Sequence, residues 1–110
     1  MKVNILGAEY TILERSIEED ALLNNMDGYC DKSIRLIVIS KPSPDATLGD
    51  FDWYRKKILR HEIIHAFLFE SGIGDGYQSA ERYGHDETMV DWFAAQFPKM
   101  IKAFEAAGCL

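Results

Sequence analysis

The sequence predicts an α+β domain, in which a small sheet comes first and two long helices follow. Three stretches carry that prediction. Residues 33–40 alternate at first (Ile34, Leu36) and end as a continuous β-branched run, the pattern of a buried central strand. Residues 52–70 are apolar nearly all round in their second half, through Ile58, Leu59, Ile63, Ile64, Ala66, Phe67 and Leu68, as suits a helix at the centre of a domain. From about Asp86 onward, Met89, Val90, Phe93, Phe97, Met100, Ile101 and Phe104 fall on one helical stripe. Strands followed by helices, rather than alternating with them, point to α+β. At 110 residues and 47% hydrophobic, the chain suits one compact domain spanning residues 1–110.

Taken in order, residues 3–14 read as two short strands around a turn at Gly7-Ala8. Ser16 and Glu19 have capping-box spacing, so residues 16–26, with Ile17, Leu22, Leu23 and Met26, are expected to form a short helix. Asp27-Gly28 is a turn signal, and Tyr29-Cys30-Asp31 leads into the central strand. Pro42 and Pro44 make residues 41–45 a loop. Asp50 or Asp52 caps the next helix, and Gly72 stops it. Residues 71–86 hold four glycines without an apolar period, a loop long enough in so small a domain to suggest a functional one. Pro98 is expected to kink the last helix or open a new one.

Composition excludes several classes. A net charge of −6 argues against a nucleic-acid partner. The one basic cluster, Arg55, Lys56, Lys57 and Arg60, reads as the solvated side of a helix. There is no apolar run of membrane-spanning length and no signal-peptide core after Met1, so no membrane partner and a cytoplasmic location are expected. Cys30 and Cys109 are expected to be free thiols.

The chemistry concentrates in His61-Glu62-Ile63-Ile64-His65. Histidines four apart on a helix point the same way, and Glu62 falls within about 100° of the same face. Two neutral imidazoles so placed hold Zn²⁺, with the carboxylate as general base towards the attacking water. In a chain of this composition the pattern arises by chance roughly once in 150. Burying two histidines in an apolar helix without a partner is costly, and a metal supplies the partner.

A catalytic zinc needs three protein ligands and an open position. Glu87, 22 residues after His65, lies far enough along for a loop to return the last helix antiparallel, and Asp91 sits one turn beyond it. Glu87 is the expected third ligand, and Asp91 the acceptor for a ligand histidine's other ring N–H. His85 is the rival third ligand. An oxyanion needs a further stabiliser, for which Tyr77, Arg82, Tyr83 and His85 are candidates, Tyr83 and His85 foremost.

Two stretches resemble a known family: Arg60-His61-Glu62-Ile63-Ile64-His65-Ala66, and Glu87-Thr88-Met89-Val90-Asp91-Trp92-Phe93-Ala94-Ala95-Gln96-Phe97-Pro98. Together they resemble the glutamate-zincin (gluzincin) arrangement, in which the later Glu is the third ligand and the Asp supports a histidine. More closely, they resemble small phage-associated members of the ImmA/IrrE metallo-endopeptidase family. There the second helix reads as a Glu, an Ala-Asn pair, then Phe-Ala and a Pro, whereas this chain has Val90-Asp91 in place of Ala-Asn. The resemblance covers roughly residues 55–98. It implies a minimal zincin-like fold, with a small twisted sheet packed on the metal-binding helix and a second C-terminal helix crossing behind it. It also implies a phage or mobile-element origin. Larger members cleave DNA-binding repressors, a substrate that does not carry over to this chain.

The expected activity is zinc-dependent hydrolysis of a peptide or protein substrate, with Glu62 as general base, Tyr83 and His85 beside it, and His61, His65 and Glu87 on the metal. The competing expectation is a zincin-fold interaction protein that keeps its metal and inhibits or regulates a host factor by contact. Glu62 separates the two, because a structural metal site has no use for a free carboxylate beside its water.

Overall fold

The computed structural model describes residues 1–42, 47–72 and 86–110. Strands β1 (Lys2–Ile5) and β2 (Ala8–Arg15) form an antiparallel hairpin. Its two-residue turn is Leu6-Gly7, one residue earlier than expected, and both residues have positive φ, 52° and 90°. That is the geometry of a primed hairpin turn, whose twist matches that of the strands it joins. Ala8 therefore opens β2, and Ala8, Tyr10 and Ile12 all point into the core.

The expected helix over 16–26 is only a 3₁₀ turn, Ala21–Asn24. Ser16 and Glu19 do exchange capping-box hydrogen bonds, but these close an isolated turn. Asp20 interrupts any continuation, because its backbone is extended and its carboxylate is taken by Arg15 and by the Tyr29 hydroxyl. The second correction is Gly28, which begins strand β3 (Gly28–Asp31) rather than a turn. Glycine and aspartate at the ends of a four-residue strand hide it from propensity, and pairing with its neighbour decides the conformation. That neighbour is β4 (Leu36–Ser40), shorter than the expected 33–40. The sheet order is β1-β2-β4-β3, so β4 is central as expected, parallel to β2 and antiparallel to the edge strand β3.

Helix α1 (Phe51–Glu70) is capped by Asp50, whose side chain accepts from the Trp53 N–H, and it ends before Gly72 at φ +96°. It lies across the sheet, with Ile58, Leu59, Ile63 and Ala66 against Ile5, Tyr10, Ile12, Ile37 and Ile39. The Tyr10 hydroxyl donates to Glu70 Oε1 at 2.8 Å and pins the end of the helix to β2. Helix α2 (Glu87–Ala107), capped by Asp86, packs on α1 through Val90 and Ala94. It runs through Pro98 as one helix, so of the two expected outcomes no new helix opens there. Proline cannot donate to the carbonyl of Ala94, and the Arg60 guanidinium donates to that carbonyl instead. The basic cluster is likewise taken up within the fold. Arg55 pairs with Glu14 and Asp52, Lys56 with Asp52, and Lys57 with Asp91. No helix among the described residues is long and apolar enough to cross a membrane.

Gly28 lets α1 approach the edge strand. A Cβ there would lie 2.9 Å from the Val38 carbonyl oxygen and 3.0 Å from Ile58 Cγ2, with Glu62 Cγ at 3.5 Å. Gly28→Ala is therefore expected to destabilise the domain by about 1–3 kcal/mol, the usual cost of overpacking, and to lower the thermal midpoint by several degrees. An unchanged midpoint would show that α1 and β3 are not in close contact.

Candidate metal centre

One turn apart on α1, His61 and His65 place their rings edge to face, with centroids 4.8 Å apart. The two Nε2 atoms are 3.1 Å apart. Glu87, the first residue of α2, brings Oε2 to 2.9 Å from His61 Nε2 and Oε1 to 2.9 Å from His65 Nε2. One donor atom from each of the three residues lies within 4.8 Å of the others. Both imidazoles are mostly covered, whereas the Glu87 side chain is 75% exposed. These are His61, His65 and Glu87, the residues expected from the sequence.

The donor set fits a divalent cation. If both ring nitrogens donated to Glu87, two N–H groups would face each other at 3.1 Å. As lone-pair donors converging on one cation, the same three groups are mutually compatible. Ligand atoms about 2.0–2.1 Å from a tetrahedral zinc are about 3.3 Å apart, close to the spacing found here.

On the far side of His61, Nδ1 is buried and makes no hydrogen bond of good geometry among the described residues. Asp91 Oδ1 lies 3.4 Å from it, and Lys57 Nζ holds the other Asp91 oxygen at 3.2 Å. Lys57 thus braces the acid that faces the ring. Its spacing, four residues before His61, was visible in the sequence but read as part of a solvated face.

Glu62 is 7% exposed, on the side of α1 that faces Gly28. Burial, and then the negative charge of Glu87, push its carboxyl up to about 8. A carboxylate so placed has the basicity that proton transfer near neutral pH requires. It lines an open cleft of about 610 Å³ with Met26, Cys30, His65, Phe69 and Glu87, beside the edge strand β3. Cys30 is pushed up to about 12, by burial first and then by Glu62, Asp31 and Glu70, so at neutral pH it is a packed thiol. Both cysteines are free.

Tyr83 and His85, like Tyr77 and Arg82, lie outside the described residues. Gly28 was not anticipated as part of the site, because only the paired strand reveals what a glycine there admits. No family model matches this sequence, and comparison with curated proteins and with solved structures likewise found no match.

Proposed function

We propose that this chain is a zinc-dependent metallo-endopeptidase with a zincin-like arrangement of sheet and metal helix. One observation carries the reading: His61, His65 and Glu87 converge on one point, and a buried carboxylate, Glu62, lines an open cleft together with His65 and Glu87. His61 and His65 from α1 and Glu87 from α2 would hold the metal. When bound, zinc supplies Lewis-acid chemistry, polarising a carbonyl and acidifying water. Glu62 takes the proton of the attacking water and returns it to the leaving amine as the peptide bond breaks. Asp91, held by Lys57, keeps the His61 ring oriented. A substrate in extended conformation can add to the outer edge of β3, which is unpaired among the described residues and borders the cleft, with its backbone pairing and its side chains facing the helix. We assign this edge to β3 rather than to β4, which is paired on both sides. Tyr83 and His85, in the segment between the helices that lies outside the described residues, stay as proposed oxyanion partners.

The test is cleavage of a mixed peptide library by the zinc-loaded protein, read by mass spectrometry. New internal termini that accumulate with time, vanish with chelator and return with zinc are the expected result. A zinc-loaded protein that cleaves nothing would favour the contact-acting interaction protein instead.

A further inference from the structure

Phe69 lines the cleft two turns beyond Glu62, on the same face of α1. Its ring stacks on that of His65, with centroids 6.1 Å apart and planes 20° apart. Earlier on the helix, Ile58, Leu59 and Ile63 pack against the buried core, whereas Phe69 forms part of the cleft wall. The Lys32 ammonium lies over the same ring, 4.8 Å from its centroid. These contacts also fix how β3 runs along the helix. Gly28, which opens the strand, faces Ile58 and Glu62, and Lys32, just past its end, reaches Phe69. β3 and the second half of α1 therefore run in the same direction, with His65 between the two ends.

We propose that Phe69 determines specificity: it receives a large apolar side chain from the N-terminal side of the cleaved bond, and Lys32 beside it excludes lysine and arginine. The inference rests on the peptidase reading and on strand addition to β3. An added strand pairs more stably antiparallel than parallel. Laid antiparallel to β3, a substrate enters at Lys32, passes Phe69 and then His65, and leaves past Gly28. The residues that meet Phe69 thus precede the bond that lies beside His61, His65 and Glu87. Spacing narrows the choice. Phe69 is about 6 Å along the helix axis from His65, and two residues of extended chain cover about 6.8 Å. The side chain against Phe69 therefore belongs to one of the two residues before the cleaved bond. An aromatic, leucine or methionine side chain leaves water for the ring and is favoured there. A substrate ammonium or guanidinium would instead meet the charge of Lys32.

The experiment exposes a mixed synthetic peptide library to the zinc-loaded full chain in two forms. Wild type is read by mass spectrometry of the cleaved positions, and immobilised Glu62→Gln by the peptides it retains uncleaved. Phe, Tyr, Trp, Leu and Met are expected to be enriched at one of the two positions before the cut, with Lys and Arg depleted there. The retained peptides are expected to show the same bias in composition. Phe69→Ala is expected to lower kcat/KM for the preferred peptides by about 10–100-fold and to erase the preference. Lys32 is exposed, so Lys32→Glu leaves the fold intact. It is expected to keep the apolar preference and to raise cleavage of peptides with Lys or Arg at that position by roughly 10-fold. Cleavage without an apolar preference, or with one that survives Phe69→Ala, would overturn the inference and leave the peptidase reading standing. A preference after the cut rather than before it would overturn it too, as would continued exclusion of Lys and Arg by Lys32→Glu. Biased retention that Phe69→Ala abolishes, without any cleavage by wild type, would overturn the peptidase reading and keep Phe69 as the binding wall. Neither cleavage nor retention would overturn both.

Discussion

Glu62→Gln is expected to lower peptide hydrolysis by about 10²–10⁴-fold, the range spanned by removal of a positioned general base. Glutamine keeps the shape of the side chain and its packing against Gly28 while losing the ability to take a proton. The loss is expected in kcat rather than KM, because the removed interaction belongs to the proton transfer and not to substrate binding. Zinc content is unaffected, since Glu62 is not among the three converging donors. Stability does not fall either. The Glu62 carboxyl sits at about 8 because burial disfavours its charge, so ionising it costs folding free energy as pH rises and a neutral amide avoids that cost. Wild-type activity in Glu62→Gln, with zinc bound, would place the base elsewhere.

The second large effect is on stability. Zinc that binds the folded chain and not the unfolded one stabilises it by mass action, by about 3–4 kcal/mol at 100–1,000 times the dissociation constant. For a domain of this size that corresponds to a rise in thermal midpoint of more than about 10 °C. His65→Ala removes one of the two imidazoles, leaves a small cavity beneath the cleft, and is expected to abolish the response to zinc. Scanning calorimetry of both proteins, with chelator and then with added zinc, separates the metal term from the packing term. A wild-type midpoint that ignores zinc would contradict the site.

How much of this was legible in the sequence depends on how local the physics is. The first helix was read almost to the residue, because its cap at Asp50 and its stop at Gly72 are local signals, and the start of the last helix was placed correctly near Asp86. So was the proximity of His61, His65 and Glu62, which helix geometry fixes. That Glu87 meets both histidines depends on the approach of α2 to α1, and the sequence offered it only as one choice beside His85. The misreadings were tertiary. β3 exists because β4 offers a ladder, and the capping box at Ser16 produced no helix because Arg15 and Tyr29 hold Asp20 in place. Pro98 is tolerated within α2 because Arg60, on another helix, supplies the donor that the proline lacks. None of these partners is a near neighbour of its target in the helical or strand pattern. The sequence pattern also overstated how far the last helix is buried. Phe97, Ile101 and Phe104 lie on its apolar stripe yet stay exposed.

The account stands on three ligands from two helices, and metal content of the purified protein tests that most directly. Wild type, Glu87→Ala and His85→Ala are to be measured side by side after zinc loading and removal of free metal. The predicted result is one zinc per chain in wild type and in His85→Ala, and loss of zinc in Glu87→Ala. Wild-type protein that takes up no zinc would contradict the central claim and leave His61 and His65 as core histidines hydrogen-bonded to Glu87.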